Sequence, residues 1–140
     1  MNDRFKFRAW HKPTKRMFEV YCFTDKHVFE NTLDGVGTSP TNPANIEDCI
    51  LEQCTGLKDK KDKLIYEGDI VKLYPIDLCI ESYFCDEYSY KVVFWNCRFG
   101  LTDLDVNYPE QGDTFDFELA EYDYKVIGNI HENPELLENK

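Results

Sequence analysis

Between Arg4 and Trp10 the side chains alternate strictly, with Phe5, Phe7 and Ala9 on one side and Lys6, Arg8 and Trp10 on the other. A period of two fits a strand buried on one face; a helix repeats its faces every 3.6 residues or about that. Met17–Phe23 resumes as a second strand after His11–Lys15, where Pro13 breaks the pattern, so the pair predicts a hairpin. The same alternation returns at Glu121–Ile130, which sets Tyr122, Tyr124, Val126 and Gly128 on one side. Aromatic residues make up 15% of the chain. Rings pack well on pleated, half-buried surfaces, which reinforces the β reading.

Between these segments the chain is read in order. Residues 24–45 are polar and turn-rich, with Gly35, Gly37, Pro40 and Pro43 close together, and are expected to be a flexible surface loop. Cys49–Cys54 looks like a short strand leaving that loop. Residues 53–72 read as a polar turn followed by an entry strand: Leu64–Tyr66, a tight bend at Gly68–Asp69, then Ile70–Tyr74. Gly68 suits a position of positive φ or close backbone approach. Further strands are expected at Tyr90–Trp95 and Arg98–Asp103, joined by a two-residue Asn96–Cys97 turn in which Asn tolerates the left-handed region. Phe115, Phe117 and Leu119 fit a strand less firmly. Near the end, Asn133 can cap a helix with its side chain, Pro134 suits the first helical position, and Glu135 faces the positive helix end.

Many short strands and almost no amphipathic helix describe a mainly β protein, a small barrel or roll. With 140 residues, one domain spanning 1–140 is expected. Its parts are an N-terminal hairpin extension (1–23), the flexible loop (24–45), the barrel (46–131), and a short helix and tail (132–140).

Charge is unevenly placed. The formal net charge is −11. Residues 103–138 hold eleven acidic residues against Lys125 alone, whereas residues 1–20 hold six basic and two acidic ones. An acidic C-terminal third repels a phosphate backbone, which argues against direct nucleic-acid binding. It serves solubility, or it forms a face complementary to a basic partner or to another copy's N-terminus. The N-terminus lacks the apolar segment of a secretory leader, and no apolar run is long enough for a membrane span. A chain in the cytoplasm of its host is expected, with no membrane contact. Its six cysteines (22, 49, 54, 79, 85 and 97) are expected to be reduced and used as small buried apolar residues. None are spaced C-x-x-C, and the three histidines are scattered, so no metal or cofactor is expected.

Three blocks resemble the YopX-like family of phage and prophage proteins. They are Lys6–Trp10 with Lys15 and Met17 downstream, Gln53–Lys72, and Tyr124–Ile130 with Glu132–Leu137. The resemblance runs the length of the chain and implies an SH3-like barrel or roll. It carries over no catalytic residue. The motif positions that it singles out, Trp10, Thr55, Gly56, Lys58, Asp59, Tyr66, Glu67, Gly68, Asp69, Gly128, Asn129, Asn133 and Pro134, are read as structural. Relatives usually carry glycine in the turn before Lys63-Leu-Ile-Tyr66, where this chain has Lys61–Asp62; a turn of different type or length is expected.

Catalytic readings of the same residues are weaker. Glu67 and Asp69 could act as an acid–base pair, but Gly68 bends the chain between them, and a turn with a solvated Glu is the simpler account. Thr55–Asp59 lacks the glycine spacing of a phosphate loop. Trp10, Trp95, Tyr88, Tyr90 and Phe94 could stack on single-stranded nucleic acid, yet Lys91 and Arg98 are their only basic neighbours in sequence, and a core role is preferred. The expected function is a non-enzymatic protein-interaction or self-association module, with a homo-oligomer or a host or phage protein as partner. The alternative is nucleic-acid-related: direct binding by the basic hairpin, or mimicry of DNA by the acidic third.

Overall fold

The computed structural model describes residues 5–31, 43–75, 89–95, 97–104, 114–115, 117 and 122–138. The chain divides into two compact units, Met1–Cys54 and Thr55–Lys140.

In the first unit the expected hairpin forms from β1 (Phe7–His11) and β2 (Arg16–Phe23), with Ala9 opposite Phe18. Lys15 turns the corner with a φ of 54°. The hairpin is not an appendage, because β3 (His27–Glu30) and β4 (Ala44–Asn45) extend it on one side. On the other side β1 pairs with β5 (Cys49–Lys58). Two strands therefore lie where a loop was expected, although residues 32–42 fall outside the described residues. The physical reason is local. The Thr24 hydroxyl accepts the N–H groups of Lys26 and His27, which tightens the turn into β3 and brings Val28 onto the sheet. Val28 is fully buried with Ala9 and Phe18, and Val20, Ile46 and Leu51 pack against them. Asn45 then accepts the N–H of Glu47 and starts a short 3-10 turn, Ile46–Asp48, before β5.

The polar turn expected from Gln53 begins later than the sequence suggests, because Thr55–Lys58 belong to β5. Gly56 takes a φ of 86°, and the Thr55 hydroxyl donates to Ile65 O at 2.8 Å while accepting the N–H of Leu57. These contacts hold the end of β5 beside β6 (Leu64–Tyr66).

In the second unit a five-stranded antiparallel sheet follows. It contains β7 (Asp69–Pro75), β8 (Ser89–Trp95), β9 (Arg98–Asp103), β10 (Thr114–Phe115) and β11 (Tyr122–Asn129), in the order β10-β9-β8-β7-β11. One helix, α1 (Glu135–Glu138), follows it. Ile65, Val71, Val92, Leu101 and Tyr124 form the core, with Phe117 edge-on to Tyr124 at 5.1 Å. Fully burying a side chain such as Ile65 or Val71 contributes roughly 1.5–3 kcal/mol. The protein is mainly β, with the expected hairpin and short terminal helix. Among the described residues neither sheet closes on itself into a barrel, because the Glu67–Gly68 turn passes the chain from beside β5 into the separate β7 sheet.

Cys97 takes a positive φ in the β8–β9 turn, at 63°, while Asn96, to which the expectation refers, lies outside the described residues. One local reading changes. In β11, Val126 pairs with Val71 but Gly128 pairs with Ile70, so Ile127 is an extra, bulged residue. The bulge shifts the phase of the strand and turns Gly128 to the face opposite Tyr124 and Val126 rather than to the same side.

Arg8 and Glu52, opposite one another on β1 and β5, form a buried ion pair with Arg8 Nε 2.9 Å from Glu52 Oε1. Removing one partner leaves a buried charge. Glu52→Ala is expected to destabilise the protein by about 3 kcal/mol in denaturant unfolding, more than the Arg8→Met/Glu52→Leu double variant.

Candidate functional site

The motif residues of the second unit meet in two hydrogen-bonded knots. In the first, Asp59 is buried at the start of a turn that ends at Lys63. Its Oδ1 accepts the N–H groups of Lys61 (2.8 Å) and Lys63 (2.9 Å), and its Oδ2 accepts the N–H of Val126 (3.0 Å) on β11. Lys60 N–H donates to Tyr124 O at 2.7 Å beside it. Burial pushes the Asp59 carboxyl up, but the donors from Val126, Lys63 and Lys61 together hold it below its ordinary value. Asp62, at the position where relatives carry glycine, itself adopts the left-handed conformation, with a φ of 63°. Lys58 is exposed at the entrance to this turn.

The second knot joins β11 to the helix. Asn129 Oδ1 accepts the N–H groups of His131 and Glu132, and its Nδ2 donates to Glu132 Oε1. The Asn133 side chain does not cap the helix as expected; its Oδ1 turns back to accept the N–H of Asn129 at 3.1 Å. Main-chain bonds replace the missing cap, from Leu136 N–H to Asn133 O and from Leu137 N–H to Pro134 O. Gly128 is needed by this close approach, since a Cβ there would lie 2.5 Å from Asn133 Oδ1 and 3.0 Å from Leu136 Cδ1.

Gly68 has the expected positive φ, 87°, and bridges the sheet: its N–H donates to Val92 O and its carbonyl accepts from Ile130. Asp69 is buried and accepts the N–H of Tyr66 at 2.8 Å, closing the turn around half-buried Glu67. Trp10 is half-buried on β1 between Met17 and Ile50. The motif residues thus sit in turns and strand junctions.

Chemically open groups lie elsewhere, some of them at positions sequence reasoning did not single out. In the first unit a cleft of about 310 Å³ has an apolar floor of Phe18, Val28 and Ala44. His11, Arg16, Glu30 and Asn45 line its polar side. Arg16 grips Glu30 with both terminal nitrogens, at 2.8 and 2.7 Å, and stands over the Phe18 ring. Through this pairing Arg16 is raised above its usual pKa and Glu30 lowered below its own. The cleft was hidden in the sequence because Glu30 and Asn45 fall in the segment read as loop.

In the second unit the β8–β9 hairpin ends in Phe94, 49% exposed, and Trp95, 38% exposed. Phe94 meets Phe99 edge-on at 5.0 Å across the hairpin, and Trp95 lies opposite exposed Arg98. The preferred core role does not hold for these two rings. Tyr90 is half-buried against the core, and Tyr88 lies outside the described residues. Of the cysteines, Cys54 is buried as expected, but Cys22 and Cys97 are exposed, because one follows a strand bulge and the other tips a hairpin. Cys79 and Cys85 lie outside the described residues. No helix among the described residues is long and apolar enough to cross a membrane.

Two antiparallel sheets, turns locked by buried Asp and Asn side chains, and a one-turn helix on the last strand define a small mainly β protein class. Within it the chain belongs to the YopX family, whose model, described as YopX protein, matches residues 6–138. Similar solved structures include protein EF1440 from Enterococcus faecalis, 28% identical with a TM-score of 0.62 over 94% of this chain and 96% of that one. Protein yopX from Bacillus subtilis shares the fold at 20% identity, with a TM-score of 0.58 over 97% and 98% of the two chains. Comparison with curated proteins gives no match.

Asp59 keeps a lowered pKa in the folded state, so the unfolded chain binds the proton more readily. Its charge-dependent contribution is complete above the ordinary value near 3.8 and is lost as pH falls through the folded value. Asp59→Asn should cost about 2–3 kcal/mol at neutral pH. Urea unfolding from pH 7 to pH 3 should show that gap narrowing. Gly128→Ala forces Asn133 or Leu136 aside and should cost roughly 1–3 kcal/mol by the same measurement.

Proposed function

We propose that this chain is a non-catalytic association module, a phage or prophage accessory protein of the bacterial cytoplasm, whose partner is a second copy of itself. The observation that carries this reading is the β8–β9 hairpin tip, where Phe94 and Trp95 stand exposed beside Arg98. Aromatic residues and arginine are the side chains that most often anchor protein interfaces. Charge supports a like partner: a basic first twenty residues and an acidic final third attract when two copies meet head to tail.

Direct nucleic-acid binding has less support. Arg8 and Arg16, two of the six N-terminal cations, are engaged by Glu52 and Glu30, while Lys6, Lys12 and Lys15 are exposed. Most of the acidic stretch that mimicry of DNA would use lies outside the described residues.

Sedimentation equilibrium should find a dimer whose population rises with concentration and falls with salt. Phe94→Ser/Trp95→Ser should weaken it at least tenfold, about 1.4 kcal/mol, with little change in thermal unfolding. A monomer at every concentration and salt level sinks the reading. A gel shift with single- or double-stranded probes that fades as salt rises would favour the nucleic-acid alternative instead.

A further inference from the structure

The cleft of the first unit differs chemically from the hairpin tip, and its spare hydrogen-bonding groups point to a ligand. A guanidinium carries five N–H donors. Arg16 directs one from each terminal nitrogen to Glu30, at 2.8 and 2.7 Å. Its Nε–H and the outer hydrogens have no partner among the described residues. The Asn45 side chain accepts from Glu47 through Oδ1, which leaves both Nδ2 hydrogens without a partner among the described residues. His11 contacts the Thr14 hydroxyl through Nδ1, at 2.6 Å, and keeps Nε2. The spare groups are therefore chiefly donors, and they border a floor made by Phe18, Val28 and Ala44.

We propose that this cleft binds a small organic acid: a single carboxylate on a short apolar or aromatic body. The carboxylate takes the outer edge of Arg16 and the Asn45 amide, while the body lies against half-buried Ala44 and the exposed rim of Phe18. One arginine can bridge two carboxylates because its fork presents two donor edges. Glu30 holds the inner edge and fixes the guanidinium, so little side-chain freedom is lost when the ligand enters. Its negative charge also sets selectivity. A monoanion is tolerated beside it, whereas a phosphate dianion meets stronger repulsion in the same space. A cleft of about 310 Å³ lies at the small end of the range for ligand sites and suits a body of one ring.

The test uses the full chain labelled with nitrogen-15 and three probes: phenylacetate, phenylacetamide and phenyl phosphate. Phenylacetate should shift the Arg16 Nε–H and Asn45 side-chain signals saturably. Phenylacetamide and phenyl phosphate should each bind at least tenfold more weakly. In Arg16→Gln/Glu30→Gln, which replaces the ion pair by a neutral pair across the same strands, the phenylacetate response should vanish while distant signals stay in place. The proposal is overturned by an absence of saturable shifts with phenylacetate, by equal binding of acid and amide, by tighter binding of the phosphate, or by an unchanged response in the double variant.

Discussion

The second unit depends on the carboxylate of Asp59. It stands 67 positions from Val126 in the chain, yet it gathers two donors from its own turn and one from β11. A turn left to itself would leave Lys61 and Lys63 N–H groups to water and the edge of β11 open. A buried anion satisfied by three backbone donors does both tasks at once, because hydrogen bonds to a charged acceptor are stronger than those to a neutral one. Asp is suited to the position because its short side chain folds back onto residues two and four further along. It also explains why this turn manages with Asp62 in a left-handed conformation: the carboxylate fixes the backbone on either side of it.

The first unit solves the same problem differently. Its strands are tied by charged pairs on opposite faces, Arg8 with Glu52 in the interior and Arg16 with Glu30 at the cleft. The two are not equivalent. The inner pair is shielded from solvent and sets register between β1 and β5, while the outer one is largely hydrated and contributes little to stability. An exposed fork is better suited to recognition than to holding strands together, and this is the physical basis for treating the cleft as a binding surface.

Much of the secondary structure was legible in the sequence, because alternation is a local signal. The Phe7–His11 and Arg16–Phe23 hairpin, the Gly68 bend, β8 with β9, and the helix after Pro134 all follow from neighbouring residues. Four misreadings share a cause. β3 was hidden because only four residues form it and its burial comes from Ala9 and Phe18, far away in sequence. The extension of β5 to Lys58 relies on Thr55 bonding to Ile65. Asn133 gives up its capping role because Asn129 offers a donor from the adjoining strand. Phe94 and Trp95 fit a core pattern, but their place at a hairpin tip leaves nothing among the described residues to cover them fully. The motif positions were read as structural; Asp59, Gly68, Asp69 and Asn129 lie in turns and at strand ends, where each bonds to neighbouring backbone. The cleft was not recognised, since its walls come from segments joined only by folding.

The extra residue at Ile127 has a further meaning. A pleated ribbon normally commits each odd position to one surface along its whole length, so one strand can serve only one chemical layer. Inserting a half-step lets β11 use two: upstream rings feed the apolar interior, and downstream Gly128 leaves room for the final helix on the reverse side. A single strand thereby works as a hinge of polarity, and the terminal segment gains an anchor without a separate connecting element.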